Sequence, residues 1–363
     1  MTFRRTLSYC TNVHPAESVE GIVEQLDRFS VPVREALGAD VLGLGLWLPA
    51  PAARHLAADP AARRRFRAEL TARGLVVQTL NAFPYRGFHE PVVKHSVYHP
   101  RWSEKARLDY TRDCATVLAT LLPDDAEYGS ISTLPLGWRT EWTTADDARA
   151  TAALADLTDY LRTLARPVRL AVEPEPGCVL DTVADAVGWL AHRVDPEFVG
   201  LCLDTCHLAV SFADPAAAVG SIEDAGLRVY KVQASNALEA PAGESEALRR
   251  FIEPRYLHQV RARTADGAVH KADDLPAAYA ELPADAPWRV HFHVPLHAEP
   301  QAPLRTTTDV LRTAVASLDG TPHIEVETYT WTVLPGGVVR EDPITGIAEE
   351  LRWAENNLEG VRA

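Results

Sequence analysis

The sequence predicts an α/β fold, a single (β/α)₈ TIM barrel with an insertion near strand seven and a C-terminal helical tail. Three observations predict it. Short apolar, β-rich runs alternate along the whole chain with longer amphipathic stretches, the pattern of a parallel sheet covered by helices. The apolar runs end in polar residues, and a barrel builds its site at the C-terminal ends of its strands. The 363 residues accommodate one barrel of about 250 residues with roughly a hundred to spare.

In chain order the strand runs are Thr6–Asn12, Val41–Trp47, Val76–Phe83, Tyr128–Leu136, Val168–Glu173, Val199–Asp204, Val229–Ser235, Val290–Leu296 and His323–Tyr329. Helix-like segments lie between them at Ala61–Arg73, Ser103–Leu122, Thr144–Ala165, Thr182–His192 and Thr307–Leu318, with Ser103, Thr144 and Thr307 as N-cap candidates. Nine runs exceed a barrel by one, so either Val229–Ser235 or Val290–Leu296 is strand seven. The long, polar, Pro-containing stretch 237–288 reads as an insertion beside the barrel. No linker divides the chain, so residues 1–363 are expected to form one domain.

Composition narrows the function. There are 36 basic and 50 acidic residues, giving −14, a surface that repels phosphate backbones and anionic lipid. Nucleic-acid and membrane partners are therefore not expected. No window approaches 18 uninterrupted apolar residues, and no apolar leader opens the sequence. The five cysteines are odd in number and dispersed. They read as buried thiols in a reducing cytoplasm. No G-x-G-x-x-G or G-x-x-x-x-G-K-[ST] follows the first strand, so the usual phosphate cradles are missing.

The chemistry sits at the strand ends. Side chains alternate along a strand, so Glu173 and Glu175 share a face, as do Lys231 and Gln233, His291 and His293, and Glu325 and Glu327. Carboxylates pointing into a barrel mouth need a proton, a cation or a metal. Glu173, Asp204 and Glu327, joined by an amide or imidazole, form an oxygen-rich set that suits Mg²⁺, Mn²⁺ or Co²⁺ better than a thiolate-bound zinc. Taken singly, each has a bland reading: Glu173 as an arginine partner, Asp204 as a helix cap, His291 and His293 as rim residues. Their recurrence on every late strand makes coincidence the less economical account. Asn12, His14, Asn81 and Trp138 resemble a lining for a polyhydroxylated ligand. The loop carrying Gly87–His89 and Lys94–Pro100 reads equally as a lid or as a solvated loop with no role.

These residues resemble the xylose-isomerase-like TIM barrels, the sugar isomerase and epimerase superfamily, at Leu170–Glu173, Cys202–His207 and Val326–Tyr329. The chain resembles more closely the EboE-type metabolite traffic proteins, at Tyr9–Pro15, Asn81–Tyr85, Ser132–Trp138, Glu173–Cys178, His291–Leu296 and Glu325–Pro335. The resemblance implies a divalent metal (Mn, Mg, Co or Zn) held by Glu173, Asp204 and Glu327. Where the superfamily commonly has a His on strand seven this chain has Gln233, so His291 or His293 is left to complete the set. Lys231, on the face of Gln233, is placed to bind an anionic substrate group or to stand in for the metal.

The implied activity is isomerisation or epimerisation of a sugar- or cyclitol-like polyol through an enediolate, in a natural-product pathway. Glu173 and Glu327 exchange protons, and His207 and His291 position substrate. Two alternatives stand beside it: a metal-assisted lyase or hydrolase, and a non-catalytic barrel that binds and passes on a metabolite. Barrels of this class often pair, which leaves a homodimer open.

Overall fold

A computed structural model describes residues 5–339, 341–358 and 360–362. Eight parallel strands close a barrel: β1 (Arg5–Cys10), β2 (Leu42–Trp47), β3 (Leu75–Asn81), β4 (Gly129–Thr133), β5 (Val168–Val172), β6 (Val199–Asp204), β7 (Val229–Ala234) and, late in the chain, β13 (His323–Val326). Closure comes from β13 pairing with β7 on one side and β1 on the other, with Glu325 opposite Gln233 and Ser8. Most strand residues are buried, as expected where helices cover the sheet outside and side chains fill it inside.

The open question of strand seven resolves in favour of Val229–Ala234. Directly after it the chain enters a second, antiparallel sheet, ordered β10 (Val269–Ala272), β9 (Val260–Arg263), β11 (Trp288–Val294), β8 (Asn236–Ala240) and β12 (Arg305–Thr306). The run Val290–Leu296 thus belongs to β11, whose pairing with β8 and β9 is antiparallel. This sheet draws on residues 236–306, a longer stretch than 237–288, because β11 and β12 return to pair with β8. It has its own core of Leu238, Phe251, Trp288, Val290 and Phe292. A short β14 (Val361–Arg362) pairs with β1.

Two of the expected caps shift. Thr143, not Thr144, caps the helix Thr144–Arg162, in a reciprocal box with Asp146. Glu104, without a side-chain cap bond, precedes the helix Lys105–Leu121, so Ser103 is not its cap. Thr307 stands at the N-cap of Thr308–Ser317, but its hydroxyl accepts from Ala237 N at 2.9 Å instead of capping. The tail is the helix Pro343–Asn357, capped by Asp342. All five cysteines are buried and unbridged. Among the described residues no helix is long and apolar enough to cross a membrane.

Candidate metal centre and active site

At the C-terminal mouth of the barrel the strand ends converge on a cavity of about 520 Å³, counting its open mouth. Glu173, Asp204 and Glu327, from the ends of β5, β6 and β13, bring one carboxylate oxygen each within 4.8 Å of the others. Burial raises Glu173 and Glu327 well above the ordinary carboxylate range; Glu327 and Asp204 push Glu173 further, and Asp204 and Glu325 push Glu327 further. Local hydrogen bonds orient the three differently. Asp204 Oδ1 accepts from His207 N at 2.8 Å and Ser235 Oγ at 2.9 Å, while Oδ2 has no partner. Glu327 Oε1 accepts from Asn12 Nδ2 at 2.7 Å and Asn81 Nδ2 at 2.8 Å. Glu173 Oε2 has no partner.

Three imidazoles complete the floor. Each Nδ1 is tied to an oxygen that can only accept, so it carries the proton: His207 to Pro174 O at 2.9 Å, His291 to Gln259 Oε1 at 2.6 Å and His293 to Glu327 O at 2.8 Å. The Gln259 amide is itself fixed, since its Nε2 donates to Glu175 Oε1 and Pro176 O. His293 therefore presents a bare Nε2. His293 Nε2 lies 3.8 Å from Asp204 Oδ2 without a hydrogen-bond partner. The Nε2 atoms of His207 and His291 face each other at 3.1 Å. Burial lowers His293 to about 4 and holds His291 well below the ordinary imidazole range, which keeps both rings neutral near pH 7.

A divalent cation fits this donor set. Buried carboxylate oxygens without partners, together with imidazoles whose far nitrogens are anchored to carbonyls, are the arrangement that orients ligands toward a metal. Glu173, Asp204, His293 and Glu327 would hold the ion. Gln233 is fully buried in the same barrel with both amide atoms unpartnered.

Three expected substrate contacts are committed elsewhere. His14 stacks on Phe29 with ring centroids 4.2 Å apart, and its Nε2 lies 3.2 Å from Tyr9 Oη. It misses the cavity because Thr11–Val13 forms a turn of 3₁₀ helix that ends the strand alternation. Trp138 packs between Tyr98 and His95 and against Gly177, where a Cβ would approach the indole to 2.2 Å. Lys231 lies inside the barrel, ion-paired to Glu325 at 2.8 Å and donating to Ser132 Oγ at 3.1 Å, so it offers no charge to a ligand. Asn12, Asn81, His207 and His291 do line the cavity.

The sequence reading missed part of the lining. Glu175 accepts from Tyr98 Oη at 2.7 Å and stands beside Gln259 and His291. Its shared face with Glu173 was the available signal. Phe88, Val93, Tyr256 and Leu257 roof the cavity from the segment after β3 and from the second sheet's connections. Phe88 lies in the 87–89 segment read as a lid or a solvated loop, whereas nothing in the local pattern of Val93, Tyr256 and Leu257 marks them.

Residues 33–266 match the family described as xylose isomerase-like TIM barrel. No curated protein matches the sequence. Several solved structures share the fold. An L-ribulose 3-epimerase is 14% identical, with 98% of this chain and 95% of that one covered, at a TM-score of 0.55. A D-allulose 3-epimerase from Methylomonas sp. is 13% identical, covering 98% and 99%, at 0.53. A 3-keto-D-glucoside 4-epimerase from E. coli is 11% identical, covering 96% and 98%, at 0.50.

Proposed function

The chain belongs to the xylose isomerase-like TIM barrel family, and we propose that it is a metal-dependent isomerase or epimerase of a sugar- or cyclitol-like ketone. The observation that carries this reading is the meeting of Glu173, Asp204 and Glu327 with the bare Nε2 of His293, with Glu173, Glu327 and His293 lining one cavity. Imidazole among the donors favours Mn²⁺, Co²⁺ or Zn²⁺ over Mg²⁺. A divalent ion bound there supplies Lewis-acid polarisation of a substrate carbonyl.

The chain's own residues do the rest. Glu173 and Glu327 both line the cavity, so one carboxylate takes the proton from the carbon next to the carbonyl and the other returns one. Asn12 and Asn81 hold Glu327 Oε1, which fixes the direction of its transfer. His207 and His291 position substrate oxygens. Within the family we group the chain with the EboE-type metabolite traffic proteins, as one domain acting in the cytoplasm on a natural-product intermediate. The names of the three structural neighbours described above, sugar 3- or 4-epimerases, support the substrate class.

The test is elemental analysis of the purified protein together with deuterium uptake from heavy water at the carbon beside a ketose carbonyl. Near-stoichiometric Mn, Co or Zn and uptake above the uncatalysed rate are expected. Gln233, at the position where the superfamily commonly has a metal-binding His, favours the binding-only barrel as a second reading. Metal-free protein that binds ketoses without exchange would establish that alternative.

A further inference from the structure

The cavity has two unlike ends. Its floor is the acid and imidazole cluster, whereas its roof is Phe88, Val93, Val97, Tyr256, Leu257 and Tyr329. The roof is a built structure. Val93 N and Lys94 N both donate to Arg255 O, at 2.8 and 2.9 Å, which ties the segment after β3 to the connection before β9. Phe88 packs on both Tyr256 and Tyr329, at 5.2 and 5.6 Å between ring centroids.

The polar tips of this roof are already engaged. Tyr256 Oη donates to Phe88 O at 3.3 Å, Tyr329 Oη lies 3.5 Å from His291 Nε2, and the neighbouring Tyr98 Oη donates to Glu175 Oε1 at 2.7 Å. What remains for a ligand is aromatic face and aliphatic surface. Among the described residues lining the cavity, Lys94 is the single lysine or arginine. Its ammonium is paired with Asp274 at 2.6 Å, and that aspartate also accepts from His258 N and Leu275 N. A phosphate is recognised by arginine forks, free lysines or a helix N-terminus, and the cavity offers none of these beside three lining carboxylates.

We propose that the substrate is an uncharged ketose or cyclitol ketone whose end remote from the carbonyl carries an apolar substituent, aryl or alkyl, and that sugar phosphates are excluded. The proposal rests on the isomerase reading for which end of the ligand meets the floor. The hydrophobic gain is realised where the substituent leaves water for the roof.

Calorimetric binding to the Mn²⁺-loaded protein tests it with three probes: D-fructose, D-fructose 6-phosphate and 6-O-benzyl-D-fructose. The benzyl ether is expected to bind about tenfold tighter than fructose, and the phosphate more weakly than fructose. Phe88→Ala and Tyr256→Ala should each shrink the benzyl advantage several-fold. A phosphate that binds tighter than fructose, a benzyl ether that gains nothing, or no binding by any probe overturns the proposal. Deuterium uptake is read separately on the same samples. The expected binding order without exchange from any probe sinks the isomerase reading and leaves the ligand class standing.

Discussion

Lys231 Nζ stands 2.8 Å from Glu325 Oε1 in the centre of the barrel, and neither side chain has any solvent exposure. The pair bridges β7 and β13, the two strands that meet only after the second sheet has intervened. Room for the carboxylate comes from β2, where a Cβ on Gly45 would fall 1.0 Å from Glu325 Oε2. Removing one partner of a buried pair strands the other charge, at roughly 3–5 kcal/mol, whereas replacing both by apolar groups of similar size is often neutral. Lys231→Met is therefore expected to lose that much stability in urea unfolding, and the double variant Lys231→Met/Glu325→Met to regain most of it. A single variant as stable as the double would deny the pair its role in closing the barrel.

Glu327→Gln should abolish exchange, by about 10²–10⁴-fold or more for loss of a positioned acid–base group, without loss of fold. Glu327 is crowded by Asp204 and Glu325 as well as buried. Neutralising it relieves repulsion, so the metal-free variant is expected to melt no lower than the wild type. Exchange at the wild-type rate would remove Glu327 from proton transfer.

Metal dependence should follow the donors and not the family pattern. His293→Ala removes an imidazole whose Nδ1 is anchored to Glu327 O, and an affinity loss of at least tenfold for Mn²⁺ or Zn²⁺ is expected by competition titration. Gln233→Ala removes a neutral amide, a weaker ligand, and is expected to cost only a few-fold. The reverse order would return the fourth ligand to strand seven. Saturating metal, at about a hundred times its Kd, should stabilise the fold by about 2.7 kcal/mol, and a chelator should lower Tm correspondingly.

The barrel was legible because strands buried on both faces read as continuous apolar runs. Val199–Asp204 matches its strand to the residue. Strand seven was ambiguous for a physical reason: Val229–Ala234 and Trp288–Val294 are both buried runs ending near polar groups. Only their partners differ, and pairing is not a local property. The acids were legible because each ends a strand. His14 was not, because a 3₁₀ turn follows Cys10 and breaks the alternation that aims side chains. Gln259 and Tyr256 come from the second sheet's surroundings, and Gln259 reaches Tyr98 across 161 residues of sequence.

Glu350 should leave a signature in the pH dependence of stability. It is a buried residue of the tail helix, accepting from Leu296 N at 3.0 Å, Thr328 Oγ1 at 2.6 Å and Trp331 Nε1 at 3.0 Å. Burial outweighs these donors and pushes the carboxyl up to about 7. In the unfolded chain an ordinary Glu releases its proton near 4.3. Between those values the folded state binds more protons than the unfolded one, so this group's contribution falls as pH rises through that window. At about 1.4 kcal/mol per unit the loss amounts to about 4 kcal/mol by pH 8. Glu350→Gln forfeits the Trp331 hydrogen bond at every pH, a constant offset, but it removes the slope. Unfolding free energies at pH 5 and pH 8 should therefore show a smaller fall for Glu350→Gln than for the wild type. Equal falls in the two proteins would assign the slope to other groups.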